Sequence, residues 1–242
     1  MDEKTLRQEL VEAITKDPKA WSRILNLDMG AGTYEDVNEL AAVIGDYIVK
    51  AVSSPEELAE YLREGHGLIS IFAEAAQQNL NDAAGIGLRP MVTKPPNARI
   101  DTVVQELSAV ESEKIKDALE NVVVPELLSM VDAIIKYNAD FQKSAGLHPI
   151  IKRTWSGSYP SHDTKHTDWC KDVAGEYEYD SRMDRRVFAR HKGCRCKVEY
   201  FPDKNAEGRI TALAKGEVDR NSVLWNTRSD TLEKRLKKAK KN

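Results

Sequence analysis

Apolar residues recur at three- and four-residue steps through most of the first 147 positions, which is the spacing of a helix with one buried face. Between Tyr34 and Val52 the series Val37, Leu40, Ala41, Ile44, Tyr47, Ile48, Ala51 and Val52 lines one such face. A second helix is predicted from Ser54, Pro55 and Glu57: serine caps the free amides, proline suits the first turn, and glutamate reaches back to close a capping box. Its stripe runs through Leu68, Ile69, Phe72, Ala76 and Leu80 to Gly85. There GIGLRPMVTKPP interrupts the pattern with a long ordered loop. The glycine pair reads as a helix stop rather than a phosphate cradle, because no strand precedes it and no Lys with Ser or Thr follows. Helical spacing resumes at Ile100, Val103, Val104 and Leu107, and again at Leu127, Leu128, Val131, Ile134, Ile135 and Phe141 in a segment opened by Pro125. Gly146 and Leu147 read as its terminus, glycine turning left-handed and leucine folding back on the last turn.

After Leu147 the vocabulary changes to short β-branched and aromatic runs, IIKRTW, GEYEY and CKVEYF, separated by polar clusters. The expected class is α+β: a helical body over 1–147, a small Cys/His-rich α+β module over 148–204, and a basic C-terminal extension over 205–242. With 242 residues, 41% of them hydrophobic, the chain has material for a sizeable core, which excludes disorder throughout. A charged fraction of 31% and no apolar run near 18 residues argue against a membrane span. The start MDEKTLRQEL lacks the features of a secretory signal, so a cytoplasmic chain is expected. The net charge is only −3, but 14 basic and 25 acidic residues up to Leu147 against 22 and 14 after it divide this into −11 and +8. Such asymmetry points the basic part toward a polyanion or an acidic partner.

All three cysteines, Cys170, Cys194 and Cys196, fall in the basic part, and an odd number without an export signal argues against a disulfide framework. With His191 they supply four ligands within 27 residues, the count of a tetrahedral structural zinc site. One residue between Cys194 and Cys196 would send their side chains to opposite faces of a strand, so joint ligation requires a turn over Gly193 to Arg195. The bland alternative is reduced thiols in a small core, with His191 bonded to a backbone carbonyl. His166 is an alternative ligand, with His162 nearby. Zinc deaminase chemistry fails, since neither HDT nor HTD carries the glutamate and GCRC is not Pro-Cys-x-x-Cys. Cys170 with His191 could form a nucleophile and base, but two further cysteines favour metal. A metal-dependent nuclease built on His162, Asp163, His166 and Asp168 is the enzymatic alternative, and a zinc module that binds nucleic acid to regulate transcription is a third reading.

The segment from Thr167 to Asp203 resembles the signature of the phage minor head protein family, the head morphogenesis proteins of Mu F type. The likeness lies in Trp169 with Cys170, Ala174 with Gly175, Tyr177 with Tyr179, Val187 with Phe188, Arg190 with His191, and Cys194-x-Cys196 followed by Val198, Glu199 and Tyr200. Segments 77–90 and 138–155 look like the family's helical and connecting parts, and NSVLW at Asn221 echoes its C-terminal end. Thr167 stands where the family usually has a further cysteine, which moves weight onto His191 or His166 as the remaining ligand. The resemblance implies a virion component rather than an enzyme, present in the virion head and in the host cytoplasm during assembly. Its partners would be the portal and capsid proteins, and its role head morphogenesis, DNA packaging or delivery. On that reading one structural zinc ion fixes the module, while Arg185, Arg186, Arg190, Lys192, Arg195 and Lys197 offer packaged double-stranded DNA a sequence-independent phosphate contact.

Overall fold

The first four helices begin at side-chain caps that occupy otherwise unpaired amides. Thr5 with Gln8 caps α1 (Leu6–Lys16), Asp17 caps α2 (Pro18–Asp28), and Thr33 with Asp36 caps α3 (Tyr34–Ala51). Ser54 caps α4 (Pro55–Ala83) as expected, but Glu57 reaches past it to the Ser53 amide and hydroxyl, each at 2.7 Å, so the predicted box closes one residue earlier. Helices α5 (Asn97–Ser108) and α6 (Ile115–Ser144) complete the body. The computed structural model describes residues 5–156, 169–180 and 182–204. The strands β1 (Ile150–Thr154), β2 (Gly175–Glu178) and β3 (Lys197–Phe201) form one antiparallel sheet in the order β2-β1-β3, so the chain is α+β. No helix among the described residues is long and apolar enough to cross a membrane.

Pro125 does not open the last helix. It lies inside α6, which starts ten residues earlier than the sequence pattern predicts. An interior proline has no N–H to donate to the carbonyl four residues back, here that of Asn121. A donor from elsewhere takes its place: the Gly193 amide, 2.7 Å from the Asn121 oxygen.

Helices α3, α4 and α6 pack most closely where glycine replaces a side chain. A Cβ built on Gly45 would lie 2.7 Å from Val124 Cγ2 and 3.1 Å from Val124 Cα. Gly45→Ala is therefore expected to cost about 1–3 kcal/mol, the range for overpacking a filled core. Urea unfolding measures it, and a loss below about 0.5 kcal/mol, within the range of a neutral surface change, would mean that α6 can step aside.

The loop after α4 is held by buried amides rather than by its own backbone bonds. Asn81 donates to the Leu88 carbonyl at 2.8 Å, and Asn138 on α6 both donates to the Met91 carbonyl and accepts from the Met91 amide at 2.8 Å. Gln142 joins Asn81 at 2.9 Å and accepts from the Tyr200 hydroxyl, so one polar network ties loop, helices and sheet together. Leu147 closes over Ile86 and Leu88 after Gly146 turns left-handed at φ 80°, as its sequence predicts. At the loop's far end Thr93 bonds His66 Nε2 at 3.1 Å. Burial pushes the pKa of His66 down. Its contribution is intact above the pKa of an unfolded imidazole, about 6.5, and is lost as pH falls toward the lower value it has in the fold. Unfolding free energy should accordingly decline between about pH 7 and pH 5, and less so in His66→Gln. Denaturant titrations at several pH values read both slopes; parallel slopes would exonerate His66.

Beyond a small cluster of the three cysteines with Trp155 and Trp169, the sheet's described apolar residues pack into the body. Ile151, Tyr179, Val187, Val198 and Tyr200 belong to the same apolar cluster as the body helices, and Asn38 of α3 donates to the Val198 carbonyl at 2.8 Å. The change of vocabulary near Leu147 thus marks a change of secondary structure, and the described sheet residues pack into the body's core.

Candidate metal centre

Two separate pieces of chain deliver the thiols, one carrying Cys170 and the other both Cys194 and Cys196. Cys170 stands on helical residues 169–172, Cys194 on the turn after a 3-10 segment (Arg185–Phe188), and Cys196 immediately before β3. All three are fully buried, and their sulfurs lie within 4.8 Å of one another. A tetrahedral zinc about 2.3 Å from each sulfur needs them about 3.8 Å apart, so the cluster can bind a metal ion with little adjustment. The turn that Cys194 and Cys196 require is present: Gly193 has φ +74°, and the Cys194 amide bonds the His191 carbonyl at 3.1 Å. Gly193 is anchored to α6 through the Asn121 carbonyl.

His191 sits at the Cys170 edge of the cluster, with Nε2 3.0 Å from the sulfur. Its Nδ1 is 2.7 Å from the Lys192 carbonyl, which assigns the proton to Nδ1 and leaves the Nε2 lone pair facing Cys170. Of the four expected ligands, the three thiols are mutually close, and the His191 imidazole adjoins one of them, Cys170. The carbonyl bond of the bland alternative is present too, but it occupies only one ring nitrogen. A nucleophilic role for Cys170 is disfavoured by its complete burial, since no substrate carbon could approach the sulfur.

Two arginines surround the thiols, and only one was a candidate from the sequence. Arg153, 1% exposed on central strand β1, directs Nη2 to Cys194 at 3.5 Å and Cys170 at 3.7 Å. Its Nη1 donates to the carbonyls of Val187 at 2.7 Å and Ala189 at 2.8 Å, and its guanidinium stacks 5.3 Å from the Trp169 ring centroid. Arg190 pairs through Nε and Nη2 with both oxygens of Asp132 on α6, at 2.6 and 2.8 Å, and donates to the Cys196 carbonyl at 2.6 Å. Arg153 and Asp132 escaped sequence reasoning because each is a polar residue in an apolar run, IIKRTW and VDAII. The alternation of β1, which turns Ile151 and position 153 inward together, was the signal that could have found Arg153.

Of the six cations expected to face phosphate, one is buried and four others pair with carboxylates at the surface. Arg190 cannot make that contact: its side chain is 1% exposed and its charge is matched by Asp132. Lys197 pairs with Glu39 at 2.5 Å and Glu35 at 3.6 Å, Arg195 with Asp46 at 3.0 Å, and Lys192 with Glu106 at 3.5 Å, all on body helices. Arg186 pairs locally with Asp184 at 2.7 Å, while Arg185 is exposed. Among the described residues, four of these cations therefore pair with carboxylates of the body helices. The nuclease candidates His162, Asp163, His166 and Asp168, together with Thr167 and the basic extension 205–242, lie outside the described residues.

Comparison with protein families, curated proteins and solved structures returns no match to this chain.

Proposed function

We propose that this chain is a non-catalytic structural component of a phage head, acting by binding portal and capsid proteins during head morphogenesis, with one zinc ion held by Cys170, Cys194, Cys196 and His191. The observation that carries this reading is the convergence of three buried thiols and an imidazole within the same segment that bears the minor head protein likeness. The residues of that likeness are framework: Tyr179, Val187, Val198 and Tyr200 fill the core, Arg190 pairs with Asp132 of α6, which lies outside the likeness, and the thiols form a buried cluster of their own. Such a pattern suits a docking fold better than a reaction centre, which would need an accessible reactive group. Zinc would supply no chemistry there beyond ligation, crosslinking the Cys170 helix to the His191–Cys196 knuckle where apolar residues are few. Direct DNA contact by the knuckle is left out of the proposal, because five of its six cations already have carboxylate partners.

Elemental analysis of protein purified without chelator tests the metal, and about one zinc per chain is expected for a closed four-ligand site. A value near zero would return the thiols to a plain core. Mass spectrometry of purified particles tests the virion assignment separately, and it fails if the polypeptide is absent from them.

A further inference from the structure

Arg153 is placed unlike the other cations near the sheet. Its side chain is enclosed on the central strand, it makes no ion pair with an acidic side chain among the described residues, and both guanidinium ends are aimed at the same site from different directions. One end faces the sulfurs of Cys170 and Cys194, which belong to different chain segments. The other holds the carbonyls of Val187 and Ala189, just before His191. Three thiolates and one neutral imidazole around a divalent cation carry a net charge of −1, which is costly in a buried site unless a cation sits beside it. N–H donors to sulfur also fix the direction in which each ligand presents its lone pairs.

From this arrangement we infer that Arg153 is a positioning residue of the metal centre: its guanidinium neutralises the metal–thiolate cluster through N–H to sulfur bonds while setting the His191 turn. The inference rests on the metal reading proposed above, and it assigns to one residue both charge balance and ligand geometry. Arg190 is a poorer candidate for this part, since its charge is already engaged by Asp132 and its closest sulfur, Cys194, is 3.9 Å away.

Cobalt(II) is the probe, because its sulfur-to-metal charge-transfer band responds to hydrogen bonds at the ligating sulfur. Titrating the full-length chain with Co²⁺, followed by competition with a chromophoric chelator, should give one tetrahedral thiolate site. In Arg153→Met the charge-transfer band should move to longer wavelength, since unbonded thiolates give up charge more easily, and Co²⁺ affinity should fall about 10–100-fold. Arg153→Lys keeps the charge but cannot serve two sulfurs and two carbonyls at once, so it should show the same band shift with a smaller loss of affinity. That variant also supplies both readings should Arg153→Met fail to fold. Unchanged affinity and an unshifted band in a folded variant would overturn the inference and leave the metal centre standing. An unmodified chain that takes up no Co²⁺ would remove the metal reading, and the role of Arg153 with it.

Discussion

Replacing Arg190 by methionine should destabilise the protein by about 3–5 kcal/mol, among the largest losses expected of any single change in the chain. The Arg190 and Asp132 side chains are 1% and 3% exposed, and they meet in a two-point pair with distances of 2.6 and 2.8 Å. Burial opposes the arginine charge, yet the neighbouring carboxylate more than offsets this and holds the guanidinium above its ordinary pKa. Without Arg190, Asp132 is left deep in α6 facing the space of its lost counter-charge, and the Cys196 carbonyl loses its donor as well. Removing both charges together, as Asp132→Leu with Arg190→Met, should recover much of the loss, because an apolar pair of similar volume often matches a buried ion pair. Equilibrium urea denaturation of the single and double variants decides the matter. A single-variant loss under about 1 kcal/mol, the range of an exposed pair, would mean that the pair is solvated in solution.

The second large effect concerns metal supply. If zinc is bound only by the folded chain, unfolding free energy should rise by about 1.4 kcal/mol for each tenfold increase in free zinc above the dissociation constant, amounting to about 2.7 kcal/mol at a hundredfold excess. Cys194→Ala should abolish this dependence as well as lowering the baseline, since it removes a ligand from the middle of the cluster. Thermal melts in zinc buffers of stepped free concentration provide the measurement. Because sheet and body share one core, the transition should shift as a whole rather than split. A midpoint indifferent to both zinc and chelator would sink the metal reading.

Much of the helical body could be read from spacing alone. The stripe from Val37 to Ile48 is the buried face of α3, and the Gly146–Leu147 stop is present with the predicted backbone angle and leucine contact. These features are local, and their physics lies within four residues of chain. The knuckle was half legible: the one-residue spacing of Cys194 and Cys196 demanded a turn, and Gly193 supplies it, but nothing in the spacing reveals that Cys170 and His191 arrive 3.0 Å apart. Pro125 misled because a helix start is the cheapest place for a residue without an N–H, and only a distant donor makes an interior site tolerable. A charge count is blind to pairing: among the described residues Asp46, Glu35, Glu39, Glu106 and Asp132 pair with Arg195, Lys197, Lys192 and Arg190, which no net total of a segment reveals. Asp132 in its apolar run is visible only once its partner is known, whereas the alternation of β1 marks position 153 as inward-facing.

Proline at 125 gives α6 an unmet acceptor, and the glycine at 193, distant in sequence, meets it. A residue usually regarded as a fault in a helical rod thereby becomes a socket, and the metal-site turn is the plug. An alanine at 125 would let the rod satisfy itself and close the socket. A side chain at 193 would strain the left-handed turn and place a Cβ 3.0 Å from Asn121 Oδ1, so the plug would no longer seat without adjustment. Two positions 68 residues apart, occupied by the two amino acids with the most unusual backbones, are consequently bound to each other's identity.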